Sequence, residues 1–461
     1  MSDEKMNQTK RKVILFYPTI PGVWKYVWFP FPYIYLGPFL ERAGYTVKII
    51  DARVDENWAQ VLLREINDAV CFGVTGMTGP DLSNAIEACN IVREAQPHIP
   101  IIWGGHHANQ LPEQILNEGV GDYVFTGPGE FGLSNLLDLI QKGAELDSFE
   151  SLIYAQNGIK KGVKSFTPID FGYDIFPAYH LLDIEKYRSP NNIVSYFSSR
   201  GCPYHCTFCT TGDFFHSNRS VPQFIREIDY LVKDLGFHNI FFQDGTFFIS
   251  KERVMTIAQK MKELGPEVKW KAKARANSLL NYSKADLDYL HDSGLRSIFF
   301  GIESGSPKIL KIMKKNIVPQ QAIDSARLCS EFDFEFYVSF MYAVPGETID
   351  DLKQTIALIR EIKSINPKAT VQNSVYIPLP GTSMYNMCLE LGYQPPNTMA
   401  EWAERDISSN FEKRTDINWI KPSILKEYVR IYNDEFPDYK HVFEREKEGK
   451  YASPLSSKQS E

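Results

Sequence analysis

Apolar positions in the first third of the chain fall into short β-branched runs separated by stretches of helical periodicity. The runs predict five buried strands, at residues 12–17, 46–51, 70–75, 101–103 and 123–126. The stretches between them predict helices at residues 33–43, 56–67, 80–95 and 111–118. Buried strands with helical crossovers predict an α/β fold with a doubly wound, Rossmann-like parallel sheet over residues 1–145. Ligands of such sheets bind outside the carboxyl ends of the strands.

A second series of the same kind covers residues 191–385. It predicts six strands, at residues 193–197, 239–243, 268–274, 296–301, 335–340 and 371–377. The helices between them are predicted at residues 221–235, 251–263, 284–292, 320–331 and 350–365. Six such units predict a partial (β/α)6 barrel whose site lies at the carboxyl ends of its strands.

Two remaining regions are less regular. Residues 146–190 include an extended segment, 166–177, and are interpreted as a linker. Residues 386–461 are interpreted as a helical, aromatic C-terminal region that ends in a disordered polar stretch, residues 451–461.

Composition narrows the classes of function. The net charge of −7, without a local basic patch, argues against nucleic-acid binding. No apolar run is long enough to span a bilayer, and the first residues lack the apolar core of a signal peptide, so a cytoplasmic location is expected.

Three of the seven cysteines lie within eight residues, and this cluster is the main chemical signal in the sequence. Cys202, Cys206 and Cys209 have C-x-x-x-C-x-x-C spacing shortly after the first barrel strand. Three such thiolates can hold three irons of a cubane and leave the fourth iron open to the amine and carboxylate of an amino acid. A zinc site completed by His205 is a second interpretation, and three incidental buried cysteines are a third.

The cysteine motif, together with the order of the segments behind it, resembles the radical S-adenosylmethionine (SAM) superfamily. This resemblance implies a [4Fe–4S] cluster and SAM as cofactors. It also implies that Phe208 packs near the adenine, that Asp244 and Gly245 meet the SAM amino group, and that Arg275 faces the ribose or the carboxylate. Glu303 falls in a G-I-E-S-G turn where glycine lets the backbone approach the ligand. A lone Asp or Glu of this kind is otherwise more often a solvated cap.

Three glycine-marked strand ends in the first 145 residues predict a site for a flat ligand along one sheet edge. The candidate residues are Thr75, Gly76, Met77, Gly104, Gly105, His106, Gly127, Gly129 and Glu130. Glycine-rich turns are also often structural. The G-G-x-H and G-x-G-E patterns resemble the cobalamin-binding domain of one radical SAM class. The D-x-H-x-x-G pattern that supplies a histidine to cobalt is absent, so the lower axial ligand is unassigned. His106 or His107 is expected to contact the corrin periphery or the nucleotide tail, or to cap a turn.

Together these resemblances imply a cobalamin-dependent radical SAM methyltransferase. One SAM would methylate cobalamin, and a second would yield a deoxyadenosyl radical that activates an unactivated carbon to accept the methyl from methylcobalamin. The alternative is an oxidative cyclase resembling the anaerobic Mg-protoporphyrin monomethyl ester cyclase. A non-catalytic cobalamin or cluster sensor is a third hypothesis, although no output element is recognisable. Methylthiotransferases carry a second cysteine triad in front, where this chain has only Cys71 and Cys89.

The expected partners are a small-molecule substrate or a peptide side chain, and an electron donor such as flavodoxin or ferredoxin. No catalytic protein side chain is assigned from the sequence.

Overall fold

The computed structural model describes residues 11–20, 28–156, 159–162, 170–213, 215–405, 411 and 414–436. The chain forms two compact units. The first unit comprises Met1–Thr167, Ile175–Tyr187 and Pro396–Arg405, and the second comprises Pro168–Asp174, Arg188–Pro395 and Asp406–Glu461.

A seven-stranded sheet forms the first unit. In chain order the strands are β1 (Arg11–Tyr17), β2 (Tyr45–Asp51), β3 (Ala69–Thr75), β4 (Ile101–Gly104), β5 (Tyr123–Phe125), β6 (Leu152–Gln156) and β7 (Ile159–Gly162). Their order across the sheet is β2-β1-β3-β4-β5-β6-β7, and β1 to β5 are parallel. The five predicted parallel strands are therefore confirmed, each to within one residue at either end.

Helices cover this sheet because its strands carry apolar side chains on both faces. They are Phe31–Arg42, Trp58–Glu65, Asp81–Ala95, His106–Gln110, Pro112–Asn117 and Leu133–Gln141, with 3-10 turns at Ile66–Asp68, Tyr179–Leu181 and Ile184–Tyr187. Strand β1 shows the pattern clearly, since Val13, Ile14 and Phe16 have no exposed surface.

Part of the segment interpreted as a linker belongs to this sheet. Strands β6 and β7 form an antiparallel hairpin, and β6 pairs antiparallel with β5 so that Tyr123 lies opposite Tyr154. The Tyr187 hydroxyl donates to Asp51 Oδ2 at 2.9 Å, which fixes the end of the segment to β2. The strands of this hairpin are only five and four residues long, and the second reads I-K-K-G, so neither gives a clear apolar alternation. Residues 166–169 of the predicted extended segment lie outside the described residues.

A helix close to the C-terminus also packs in the first unit. Met399–Glu404 contacts the helix Asp81–Ala95. Trp402 is completely buried, and the Met399 amide donates to Glu118 Oε1 at 2.9 Å. This assignment of residues 396–405 was not predicted.

The second unit contains the six-stranded parallel sheet that the sequence predicts for a partial barrel. The strands are β8 (Ile193–Tyr196), β11 (Asn239–Phe242), β12 (Lys269–Arg275), β13 (Leu295–Glu303), β14 (Glu335–Tyr342) and β15 (Thr370–Val375), and they are adjacent in chain order. Two short strands, β9 (Ser199–Arg200) and β10 (Ser217–Asn218), pair antiparallel between β8 and β11 in the sequence.

Helices on the outside of this sheet follow the predicted pattern. They are Val221–Asp229 with a π turn at Tyr230–Asp234, Lys251–Glu263, Lys284–Asp292, Pro307–Ile312, Pro319–Glu331, Ile349–Ile365, Ser383–Glu390 and Pro422–Glu435, with a 3-10 turn at Thr211–Asp213. Ser283 and Thr348 each form a capping box with an aspartate three residues later, which fixes where two of these helices begin.

The inner face of the barrel carries an aromatic ladder. The rings of Phe241 and Phe299 are 5.2 Å apart and those of Phe299 and Tyr337 are 4.4 Å apart, both stacked. These side chains come from β11, β13 and β14, and the register through β12, which lies between β11 and β13, places them on the same face. The ladder gives the inside of the barrel an apolar floor.

The described C-terminal residues of the second unit hold the loop that follows β14. Ala343 in this loop has a φ of +57°, which is strained for a residue with a side chain. Its carbonyl accepts from Trp419 Nε1 at 2.7 Å, and its amide donates to the Tyr428 hydroxyl at 3.1 Å. The same hydroxyl donates to Glu347 Oε2 at 2.9 Å. The predicted disordered stretch, residues 451–461, lies outside the described residues.

In the part of the chain that the structure describes, none of the helices combines the length and the apolar character needed to cross a lipid bilayer.

Candidate functional site

A cavity of about 290 Å³ opens at the carboxyl ends of the barrel strands in the second unit. All three clustered cysteines line it, as do Phe208, Gly245, Arg275 and Glu303. Of the residues predicted to bind the cluster or SAM, only Asp244 is absent from the wall. Their roles as ligands stay predictions, but the structure brings them together.

The loop that carries the cysteines is anchored to the barrel through Thr207. Its amide donates to the carbonyl of Met313 at 3.0 Å, its hydroxyl donates to the carbonyl of Ile312 at 2.9 Å, and its own carbonyl accepts from the Met384 amide at 2.8 Å. Cys202, Cys206 and Cys209 are partly exposed, whereas the other four cysteines of the chain are buried. Burial raises the pKa of the Cys202 thiol, an effect that a bound metal would reverse by stabilising the thiolate.

The geometry of the cysteines favours a cubane over a single zinc ion. Zinc needs ligands that converge to about 2.3 Å from one point. Among the described residues, no three His, Cys, Asp or Glu side chains lie close enough to hold one ion, and His205 is exposed. A cubane binds each cysteine to a different iron, so its sulfurs need not converge. The three residues therefore fit a [4Fe–4S] cluster.

Glu303 is at the centre of a buried ion pair in the cavity wall. Its φ is +71°, and its carboxylate accepts from Lys315 Nζ at 2.9 Å and from Ser339 Oγ at 3.2 Å. The Lys315 ammonium also lies 5.7 Å from the centre of the Phe208 ring. Lys315 thus brings together Glu303 and Phe208, two residues of the predicted SAM site. Sequence reasoning missed Lys315, because it lies in a loop without a periodic pattern.

Arg275 and Lys273 project from the same face of β12 toward the cysteines. The Arg275 guanidinium stacks on the Tyr204 ring at 3.9 Å, and its Nη1 lies 3.8 Å from Cys206 Sγ. Lys273 Nζ donates to the Gln243 carbonyl at 3.4 Å, and burial lowers the pKa of Lys273. Neither cation has a carboxylate partner within 4.0 Å among the described residues. The alternation K-x-K-x-R in β12 is the signal that could have pointed to Lys273.

Asp244 supports the cysteine loop from behind. Its carboxylate is buried and accepts from the Ser198 amide at 2.7 Å and from the Ser199 amide at 3.1 Å. Burial raises the pKa of Asp244, although these bonds oppose the shift. Gly245 follows it in the wall, where an added Cβ would lie 3.2 Å from Cys202 Cβ. The predicted contact of Asp244 with the SAM amino group stays a prediction.

The glycine-marked residues of the first unit also come together, because parallel strands end at the same sheet edge. Thr75 lies opposite Gly104 in the register of β3 and β4. Gly105 has a φ of +86°, and a Cβ there would meet Thr75 Oγ1 at 2.1 Å, so the turn requires glycine. The Gly127 amide, at the end of β5, donates to Asn109 Oδ1 at 2.7 Å.

Two large apolar side chains are exposed at this edge. Met77, after β3, is 54% exposed, and Phe131, after β5, is 57% exposed. Apolar groups in such positions commonly mark a ligand or an interface. With glycines between them, they leave room for a flat macrocycle, so the residues fit cobalamin.

His107 joins the loops that follow β3 and β4. It is completely buried, its amide donates to the Gly76 carbonyl at 3.0 Å, and its Nδ1 lies 3.3 Å from Thr78 Oγ1. Burial lowers the pKa of His107 to about 3, so the ring is neutral. Burial also lowers the pKa of His106, and Glu130 is buried near the end of β5.

Asp81 is a residue of this edge that sequence reasoning missed. Its Oδ2 accepts from the Met77 amide at 2.8 Å, and burial raises the pKa of its carboxyl to about 7. Asp81 is the first residue of the helix Asp81–Ala95, and its carboxylate fixes the loop that carries Met77.

Comparison with known proteins gives a family match in each of the two units. Residues 20–137 match the family described as the B12 binding domain, and residues 196–359 match the radical SAM superfamily. An uncharacterized methyltransferase of Pyrococcus horikoshii is 27% identical over 83% of this chain and 86% of its own length. The anaerobic magnesium-protoporphyrin IX monomethyl ester cyclase of Rubrivivax gelatinosus is 24% identical over 74% of this chain and 63% of its own length.

A solved structure shares the fold. The radical SAM methyltransferase TsrM of Kitasatospora setae, with cobalamin and a [4Fe–4S] cluster bound, aligns with a TM-score of 0.70 and 16% identity. The alignment covers 93% of this chain and 88% of that protein.

These matches confirm the predicted fold class and cofactors: SAM with a [4Fe–4S] cluster in the second unit, and cobalamin in the first. The chain therefore combines a B12-binding domain with a radical SAM domain that follows it in the sequence.

Proposed function

We propose that the protein is a cobalamin-dependent radical SAM methyltransferase that acts on an unactivated carbon of a small molecule or a peptide side chain. The observation that carries the proposal is the barrel cavity, which is lined by the three partly exposed cysteines and by Lys273 and Arg275. Neither of these two cations has a carboxylate partner within 4.0 Å among the described residues. The chain with this cavity also carries a B12-binding domain, and two relatives that align with more than three quarters of the chain are named as methyltransferases.

When bound, the cluster with SAM supplies radical chemistry at carbon, and cobalamin supplies a transferable methyl group. The protein residues bind and orient these groups. Cys202, Cys206 and Cys209 would hold the cluster and leave one iron open for SAM. Lys273 is the group that we assign to the SAM carboxylate, because its ammonium lines the cavity with a single long bond to a carbonyl.

The opposite wall of the cavity would hold the adenosine part of SAM. Phe208 offers an aromatic face, and Glu303 offers carboxylate oxygens that the ribose hydroxyls can reach. Lys315 and Ser339 keep that carboxylate in one orientation. The apolar ladder of Phe299 and Tyr337 limits water at the base of the cavity, which protects a reactive carbon centre.

The residues proposed to hold cobalamin lie along the edge of the first sheet. Gly104, Gly105 and Gly127 would face the flat ring through backbone, and Met77 would cover it with an apolar side chain. A reductant such as flavodoxin or ferredoxin would supply the electrons that radical SAM chemistry requires.

An oxidative cyclase is the second candidate, since a relative of that name aligns with three quarters of the chain. The two differ in their use of SAM. A methyltransferase consumes SAM twice and yields S-adenosylhomocysteine together with 5′-deoxyadenosine, whereas a cyclase that only abstracts hydrogen yields 5′-deoxyadenosine alone.

The test uses the full chain, reconstituted anaerobically with iron, sulfide and hydroxocobalamin, and a reductant. With SAM bearing a deuterated methyl group, mass spectrometry should find the label on the corrin before any substrate is added. The Cys202→Ala variant should still accept the label on the corrin but form no 5′-deoxyadenosine. Formation of 5′-deoxyadenosine without label on the corrin would overturn methyl transfer and favour the cyclase.

A further inference from the structure

The three cluster cysteines differ in what donates a hydrogen bond to each sulfur. Cys202 Sγ accepts from the Tyr204 backbone N–H, and Cys209 Sγ accepts from the Thr211 backbone N–H at 3.4 Å. Both donors belong to the cysteine loop itself. Cys206 Sγ instead lies 3.8 Å from Nη1 of Arg275, a cationic side chain at the end of β12.

Arg275 is held rigidly in this position. It is only 5% exposed, and its guanidinium carbon lies over the Tyr204 ring, 3.9 Å from the ring centre. Its backbone is fixed by a reciprocal turn, since the Arg275 amide donates to Ser278 Oγ at 3.0 Å and its carbonyl accepts from the Ser278 amide at 2.9 Å. A guanidinium held against a ring, on a backbone fixed by two hydrogen bonds, loses little entropy when it bonds to sulfur.

A fixed cation beside a cluster sulfur has a defined electrostatic effect. Reduction adds one negative charge to the cluster, and part of that charge resides on the sulfur ligands. A donor that carries a full positive charge stabilises the reduced form more than the oxidised form, and so raises the reduction potential.

We propose that Arg275 tunes the reduction potential of the [4Fe–4S] cluster through its hydrogen bond to Cys206 Sγ. The remaining donors of the side chain, Nε and Nη2, are buried without a partner among the described residues. They stay available to SAM, so the new role adds to the predicted contact with the ribose or carboxylate. The inference rests on the cluster and does not require methyl transfer.

Lys273 provides the matched control. It lies two residues earlier on the same face of β12 and lines the same cavity, but its hydrogen bond goes to the Gln243 carbonyl and not to sulfur. The comparison of Arg275→Gln with Lys273→Gln therefore separates a hydrogen bond to the cluster ligand from a general loss of positive charge.

The experiment is an anaerobic redox titration of the reconstituted full chain, without SAM, followed by the EPR signal of the reduced cluster. At a fixed solution potential, Arg275→Gln should lower the ratio of reduced to oxidised cluster about tenfold, which for a one-electron couple is about 59 mV. Arg275→Lys should recover part of the shift, and Lys273→Gln should move the ratio much less.

Equal shifts in Arg275→Gln and Lys273→Gln, or a wild-type potential in Arg275→Gln with full iron content, would overturn the inference. If Arg275→Gln does not assemble a cluster, Tyr204→Leu tests the same bond by removing the ring that positions the guanidinium. Tyr204→Leu should then lower the potential, and Tyr204→Phe, which keeps the ring, should not. Absence of a cluster in the wild-type chain would instead sink the proposed function.

Discussion

The two proposed cofactor sites lie at equivalent places, the carboxyl ends of parallel strands, but they are built from different kinds of chemical group. In the second unit the wall is made of charged side chains and of the three cysteines proposed to bind the cluster. The charged groups are Lys273, Arg275 and the buried Glu303–Lys315 pair. In the first unit the edge is made of glycine backbone and exposed apolar groups such as Met77 and Phe131.

The difference follows from what each site must supply. An iron–sulfur cluster has no organic framework, so the protein has to provide its ligands and balance its charge. Cobalamin brings its own equatorial ligands and a large planar surface, so the protein mainly has to make room and exclude water. Substitutions should therefore affect the two sites through different physical terms, and independently.

The largest expected effect is at the cysteines. Cys206→Ala removes one of three ligands, and the purified chain should lose nearly all of its cluster iron. Bound cobalamin, quantified by its absorption after anaerobic reconstitution, should remain close to one per chain. A parallel loss of cobalamin would break the comparison, because it would make the two sites interdependent.

The next effect concerns the charged wall. Lys315→Met leaves the Glu303 carboxylate buried without its partner, and the free energy of unfolding of the cluster-free chain should fall by about 3 kcal/mol. Urea denaturation measures this change.

Two controls accompany it. The double variant Glu303→Gln, Lys315→Met should recover most of the loss, since no charge is then left unpaired. Arg430→Met, which removes an exposed cation from Glu427 and Asp434, should lower the free energy of unfolding much less than Lys315→Met does. If Lys315→Met lowers the free energy of unfolding by no more than Arg430→Met does, the buried pair stabilises the fold no more than an exposed pair.

A smaller effect is expected at the backbone-made edge. Gly105→Ala places a Cβ against Thr75 Oγ1 and should weaken cobalamin binding about tenfold, or about 1.4 kcal/mol, with cluster iron unchanged. Gly119→Ala is the matched control, because its φ of +68° is also unfavourable for alanine but the space around it is empty. Equal affinities of the two variants in equilibrium dialysis would contradict a role for the Gly105 turn.

The most gradual expected effect is a dependence of stability on pH in the second unit. Burial raises the pKa of Glu347 to about 8, with Tyr428 opposing and Asp351 adding to the shift. The folded chain then holds a proton that the unfolded chain releases, so stability is full below pH 4.5 and is lost as pH rises toward 8. The slope is about 1.4 kcal/mol per pH unit in this window.

Glu347→Gln should remove this slope, because an amide does not titrate. Thermal unfolding from pH 5 to pH 8 measures it, and an unchanged slope in the variant would show that another group is responsible.

Local sequence signals were sufficient to predict the strands. They were also sufficient to predict those residues of the barrel cavity that belong to short motifs. Apolar runs predicted every parallel strand, and the spacing of the cysteines predicted the loop that carries them. What the sequence could not reveal depends on contacts between distant segments. Lys315 acquires its role only because it reaches Glu303 in space, and Asp244 because it accepts from two amides of the cysteine loop.

The hairpin of β6 and β7 escaped prediction for a different reason. Its strands are short, and the second contains two lysines, so it lacks the periodicity of a buried element. Edge strands need little apolar character, because one of their sides remains in water.

The helix Met399–Glu404 has a consequence for how the chain is made. The first unit lacks this helix, with its buried Trp402, until residue 405 has been synthesised, long after the rest of that unit ends at Tyr187. At about 5–20 residues per second, the ribosome needs roughly 10–40 s for the intervening segment. During that interval the helix Asp81–Ala95 has an uncovered apolar face. A fragment ending near residue 190 would keep that face permanently exposed, so the B12-binding domain of this protein cannot be excised by a single cut without a tendency to aggregate.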